Sequence, residues 1–220
     1  ILGEFQNIKK VDSIPLNYTF INASEVGVFE ENSIRVEIPP HALYDDIYLE
    51  IEVKNDTLKL HRPNIPLKKS MTITFDVSHY EPNDLEHLYI ASISAYGKLY
   101  YTSTKRKGSS LSVRTKYFGT YTLATDKEGP KITPLNFKNG SWLSNYRYLK
   151  IKISDAISGI KNFRATVNGK WILMEYDSKT KTLTHDFNDG VLTDTKNNLK
   201  LIVTDNVGNS SKFESIFYRK

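Results

Sequence analysis

The chain has 220 residues, 39% hydrophobic and 25% charged, with a net charge of +5. That composition is globular rather than disordered, and the length suits two domains better than one. There is no Cys, which excludes a disulfide framework and any thiolate metal site. No apolar run of about 18 residues occurs, so no membrane span is expected. The basic residues are spread among acidic ones without a dense stripe or recognition motif, which argues against nucleic-acid binding.

The chain opens on Ile1-Leu2-Gly3-Glu4-Phe5 without Met and reads as a mature piece of something longer. Strand signals follow in order. Ser33–Ile38 alternates apolar and polar residues and stops at Pro39-Pro40. Asp46–Val53, Met71–Val77 and Leu88–Ile93 continue the pattern. Strict alternation buries one face of each strand. Glu81–His87 carries Pro early, where a short helical turn accepts it. Lys98–Ser103 and Leu111–Thr115 are expected to face each other across the basic tip Lys105-Arg106-Lys107, read as a solvated loop. Phe118–Ala124 closes the set. Short strands separated by turn residues specify a sandwich.

Asp126-Lys-Glu-Gly-Pro-Lys131 is charged, carries Gly-Pro and lies between two strand signals. It sets a domain boundary. A second series follows: Lys131–Pro134, Tyr148–Ser154, Asn162–Val167, Lys170–Tyr176 and Thr182–Phe187. Asn168-Gly169 between apolar runs is a two-residue hairpin signal. The last pair of alternating runs flanks Asp205-Asn206-Val207-Gly208-Asn209, whose Gly208 is expected at positive φ. This closing hairpin has the character of an immunoglobulin-like sandwich. The fold expected is therefore all-β, with two consecutive immunoglobulin-like β-sandwich domains at 1–125 and 126–220.

Catalytic motifs are sparse. His41-Ala-Leu-Tyr-Asp45 has the spacing of half a zinc-peptidase site, but no His-x-His accompanies it. There is no Gly-x-Ser-x-Gly elbow and no phosphate-cradling glycine loop. Asp45 and Asp46 are sequence neighbours, which point to opposite faces of a strand. The chain is accordingly read as lacking a catalytic site.

Two other constellations carry more. Asp155 follows the second strand of the second domain, and Asp205, Asn206 and Asn209 lie in the last hairpin. In an immunoglobulin-like sandwich these loops share one end, so their oxygens converge as a hard-cation set suited to calcium. Each Asp or Asn can equally cap its own turn. The aromatic residues are the second constellation. Trp142, beside Gly140-Ser141, and Tyr146 are the candidates for an exposed sugar-stacking face, while Trp171 is expected to pack inward with Leu173. Asn-x-Ser/Thr sequons stand at Asn17, Asn22, Asn55, Asn139 and Asn209 and matter only in a eukaryotic secretory setting.

Several stretches together carry a resemblance. They are Ile34-Arg-Val-Glu-Ile-Pro39, Leu43-Tyr-Asp-Asp-Ile-Tyr-Leu49, Phe118-Gly-Thr-Tyr-Thr-Leu-Ala-Thr-Asp126, Trp142-Leu-Ser-Asn-Tyr146, Asp155-x-x-Ser-Gly-Ile160, Trp171-Ile-Leu-Met-Glu-Tyr176 and Val203-Thr-Asp-Asn-Val-Gly-Asn209. In this order they resemble the C-terminal, non-catalytic region of lysostaphin-like zinc metallopeptidases of Bacteroidota-type bacteria. The resemblance implies an accessory region of a peptidoglycan endopeptidase in the periplasm or cell envelope, or secreted. Its zinc would belong to a separate peptidase domain of the same polypeptide, and its further partner would be peptidoglycan or another glycan. A carbohydrate-binding or adhesion module is the competing expectation.

Overall fold

The computed structural model describes residues 18–220. Over the described residues the chain is organised as strands, with almost no helix. Its first half contains β1 (Tyr18–Ile21), β2 (Gly27–Glu31), β3 (Ile34–Ile38), β4 (Ile47–Lys54), β5 (Thr57–Leu60) and β6 (Pro66–Asp76). A short helical turn, α1 (Pro82–Leu85), then leads to β7 (Leu88–Ile93), β8 (Leu99–Tyr101), β9 (Lys105–Lys107), β10 (Ser110–Tyr117) and β11 (Gly119–Thr125). These strands form two antiparallel sheets, ordered β1-β4-β5-β11-β7-β8 and β2-β3-β6-β10-β9. The alternation that predicts β3 is visible in its burial: Ile34, Val36 and Ile38 face in, Arg35 and Glu37 face out. Ile34, Leu49, Leu58, Ile73, Phe75 and Leu111 are among the side chains sealed in this core.

The second half contains β12 (Lys131–Pro134), β13 (Ser141–Trp142), β14 (Tyr148–Ser154), β15 (Ile160–Val167), β16 (Lys170–Ile172), β17 (Glu175–Asp177), β18 (Thr182–Asp186), β19 (Lys196–Asp205) and β20 (Ser210–Tyr218). Its sheets run β12-β14-β18-β17 and β13-β20-β19-β15-β16. The β13–β20 pair is parallel. A separate apolar core forms here around Leu149, Ile151, Leu183, Leu201, Val203 and Phe217. The structure is thus sandwich-like in both halves. No helix of the described residues is long and apolar enough to cross a membrane.

Three expectations need correction. First, Lys105-Arg106-Lys107 is not a loop tip but the edge strand β9, which pairs with β10 across Gly108-Ser109. Lys98–Ser103 does not face β10; its core, β8, pairs with β7 in the other sheet. A short polar edge strand lacks the apolar alternation that reveals a central one. Second, Lys170–Tyr176 is not one strand. It leaves one sheet after Ile172 and enters the other at Glu175, with Ile172 and Met174 buried at the crossing. Third, Trp171 does not pack inward. The Asn168-Gly169 turn, with φ of +50° and +79°, fixes the register so that Ala165 faces Ile172 and Thr166 faces Trp171. Ala165 and Ile172 take the core, and Trp171 is left 56% exposed. The strands β1, β2 and β5, of four or five residues each, are too short to announce themselves in the sequence.

Candidate functional site

The most unusual chemistry of the fold lies where the halves meet. Asp126 follows β11 and opens the charged stretch read as the domain boundary, yet it is fully buried. Its backbone N–H donates to His87 O in the first half, 3.0 Å. Its carboxylate accepts from Ser158 N–H of the second half, 3.0 Å, and from Glu128 N–H, 3.1 Å. Its carbonyl accepts from the Asn209 side-chain amide, 2.8 Å. Three residues further, an added Cβ at Gly129 would sit 2.7 Å from Ser211 Oγ, so the chain passes close against β20 and a larger residue would require that hydroxyl to move. Lys127 reaches back to Asp84 at 2.7 Å.

Around Asp126 the loops of the second half converge as the sandwich topology requires. Asp205, also fully buried, folds the last hairpin onto itself. Its Oδ1 accepts the N–H groups of Val207, Gly208 and Asn209 at 3.0, 2.7 and 2.8 Å. Gly208 has the expected positive φ, +109°. Asp155 Oδ1 accepts from Ile157 and Gly159 at 3.0 and 2.7 Å, closing the loop after β14. One carboxylate oxygen from each of Asp126, Asp155 and Asp205 lies within 4.8 Å of the others. Oxygens at that spacing are the hard donors that a divalent cation such as calcium takes. Ser158, 3% exposed, sits in the same node with a hydroxyl that has no hydrogen-bond partner among the described residues.

Of the four residues singled out from sequence, the structure brings Asp155 and Asp205 together. Asn206 and Asn209 stand beside them as braces. Asn206 Nδ2 donates to Ser158 O at 2.7 Å, and Asn209 Nδ2 donates to Asp205 Oδ2 at 2.7 Å. Asp126 was missed, because a charged residue before Gly-Pro looks like linker.

A small cleft of about 220 Å³ opens beside the node, lined by Tyr89, Tyr101, Arg106, Lys161 and Asn206 among others. Burial raises the Tyr89 hydroxyl pKa, and the charges of Asp126 and Asp155 raise it further. Tyr101 is likewise raised, first by burial and then by Asp205, against a hydrogen bond at Thr104. Burial lowers the Arg106 guanidinium pKa. Its Nη2 donates to the carbonyls of Leu85 and Leu88, so this cation closes α1 onto the sheet rather than neutralising the carboxylates.

His41 and Asp45 are not part of the aspartate node. His41 stands at φ +60° in an exposed turn, and among the described residues the only group of three or more metal-ligating side chains is the aspartate node. Trp142 and Tyr146 are exposed, as expected of the sugar-stacking candidates, at 56% and 47%. One face of Trp142 is covered by Tyr218, with ring centroids 5.2 Å apart.

Comparison with known families adds one finding. Residues 18–126 match the family model of the Zu5-like domain, so the first half is similar to that domain and the match ends at the buried joint residue. No curated protein matches the chain. Neither result connects it with the lysostaphin-like metallopeptidases.

Proposed function

We propose that this chain is a non-catalytic accessory region of a cell-envelope protein, two consecutive immunoglobulin-like sandwiches at about 1–125 and 126–220 that hold a partner domain at fixed spacing. The resemblance to lysostaphin-like zinc metallopeptidases makes that partner a peptidase domain of the same polypeptide, acting on peptidoglycan. The observation that supports a spacer is the buried Asp126, hydrogen-bonded to His87 on one side and to Ser158 and Asn209 on the other. A flexible linker leaves its polar groups to water; this one spends them on both neighbours. A calcium ion held by Asp126, Asp155 and Asp205 would tighten the same joint, because converging carboxylates, two of them buried, repel one another.

Solution scattering of the full chain tests the spacer. The wild type should fit one conformation and Asp126→Ala a range of inter-sandwich angles. An equally broad range for the wild type refutes the rigid joint. Calcium should raise the melting temperature of the wild type but not of Asp155→Asn, and an equal response removes the cation. The purified chain should leave peptidoglycan uncut with or without added zinc. Zinc-dependent hydrolysis lost in His41→Ala would overturn the non-catalytic reading.

A further inference from the structure

The outer face of the β13-β20-β19-β15-β16 sheet carries a shallow groove of about 490 Å³, lined by Asn139, Thr166, Asn198, Lys200, Glu214 and Ile216 among others. Strand register explains how these residues meet. Trp171 pairs with Thr166, Thr166 with Lys200, and Lys200 with Glu214. Paired residues project to the same side, so these four form one row across the sheet. Asn198 and Ile216 form the next row, and Tyr218 with Trp142 the one after. Two indoles, each 56% exposed, therefore stand on opposite edge strands of one face with a polar floor between them. Five strands at about 4.8 Å spacing set these edges ~19 Å apart.

The floor is ordered in advance. Asn139 Oδ1 accepts from Ile216 N–H at 2.8 Å, which turns the Asn139 amide nitrogen away from that bond as a free donor. Asn198 is held through its own Nδ2 to Asn168 Oδ1 at 3.1 Å, leaving its carbonyl oxygen as an acceptor. Asn168 is in turn fixed by Asp194 at 2.9 Å. Lys200 makes no ion pair among the described residues, while Glu214 is paired with Lys212 at 2.8 Å.

From this juxtaposition we infer that the groove binds an extended saccharide. A pyranose offers a flat C–H face to an indole and a rim of hydroxyls that both donate and accept. The floor offers an amide donor, an amide acceptor, a hydroxyl, an ammonium and a carboxylate for such hydroxyls. The other ligand classes fit less well. An apolar protein or lipid surface requires an apolar floor. A nucleic acid requires a run of cations, and Glu214 lies directly beside Lys200. A peptide strand requires an open sheet edge, whereas the groove lies over β15, β19 and β20, whose backbones are already paired. The span between the two edge strands suits a short oligosaccharide rather than a single sugar. This inference does not rest on the spacer reading, because the groove lies wholly on the second sandwich and the joint does not touch it.

The test uses the full chain and a panel of tetrasaccharides, N-acetylated and non-acetylated, with a single-stranded oligonucleotide of similar length as control. Saturable saccharide binding by calorimetry, weakened about tenfold or more in Trp171→Ala and in Lys200→Ala, supports the groove. Both side chains are exposed, so an unchanged melting temperature separates lost contact from lost fold. Absence of binding across the panel at millimolar concentration overturns the proposal. So does binding that survives both substitutions, or binding to the oligonucleotide alone.

Discussion

The two halves share a sandwich-like plan and differ in what they bury. The first packs aliphatic and aromatic side chains around Phe75 and Phe118, with no polar or charged residue among its buried described positions before Asp126. The second buries Asp126, Ser158, His185, Asn197, Asp205 and Ser215 as well as its apolar core. Apolar burial is non-directional, and one methyl substitutes for another with modest loss. Buried carboxylates and amides demand particular partners at particular distances. The first half is thus held by volume and the second by volume plus geometry, and the geometry is concentrated where the halves touch.

The strongest way to break that contrast is to cut each core. Phe75 and Phe217 are both fully buried, and truncating such a side chain to Ala costs about 3–5 kcal/mol. Both tryptophans, Trp142 and Trp171, lie in the second half, so indole fluorescence in a urea titration follows that half alone. Phe217→Ala should move the fluorescence midpoint strongly. Phe75→Ala should move mainly the circular-dichroism transition of the first half. If the two variants shift the fluorescence midpoint equally, the halves unfold as one unit and the joint transmits most of the stability.

Next in size is the polar node. Asp205→Ala leaves the N–H groups of Val207, Gly208 and Asn209 without their shared acceptor. Buried unsatisfied donors cost about 1–3 kcal/mol each at the upper end, and some will find water, so a net loss of about 2–3 kcal/mol is expected. The first-half counterpart is Asp56, which accepts the Tyr80 hydroxyl at 2.7 Å but is partly exposed. Asp56→Ala should cost about 1 kcal/mol. Equal losses in chemical denaturation would erase the distinction between the halves.

What the sequence made legible follows the same division. Strands with apolar alternation, such as Ile34–Ile38 and Tyr148–Ser154, announce themselves because period-two burial leaves a pattern in one dimension. Turns with obligatory positive φ, such as Asn168-Gly169 and Gly208, are equally plain. β9 stays hidden because Lys105-Arg106-Lys107 is too short and polar to show alternation, although its partner is the next strand. The switch of sheets stays hidden because Ile172 and Met174, buried on either side of it, keep the alternation of a single strand. Trp171 shows the limit of alternation, which separates a strand's faces without saying which is inside. That is decided by the neighbouring strand, where Ala165 is already committed to the core. Two of the three aspartates of the node, Asp155 and Asp205, were visible because two loops of a sandwich share an end. Asp126 was not, because no local pattern marks a linker residue as buried.

The Trp171 correction yields a smaller effect. With the indole on the outer face, Trp171→Ala should cost under about 1 kcal/mol, as for an exposed substitution away from the core. Trp142→Ala should cost somewhat more, by about 0.5–1.5 kcal/mol, because its ring stacks on Tyr218. Thermal melts of the two variants check the order. A Trp171→Ala loss as large as that of Phe217→Ala would place the indole in the core after all.

The smallest effect is a matter of pH and belongs to the first half. Burial, assisted by the hydrogen bond to Asp56 and by that carboxylate's charge, pushes the Tyr80 pKa up from 10.0 to about 12. The neutral phenol is the form the fold prefers. Its contribution is therefore complete below the unfolded value near pH 10 and declines as pH rises through the folded value near 12. The first-half transition of the wild type should weaken more steeply over that window than that of Tyr80→Phe, which has no proton to lose. The second-half transition, followed by indole fluorescence, should show no such difference between the two proteins. If the wild type and Tyr80→Phe decline in parallel between pH 10 and 12, the phenol is solvated in solution and the Tyr80–Asp56 bond does not hold α1 against the sheet. The partial exposure of both groups keeps the effect small, since solvent screens their interaction.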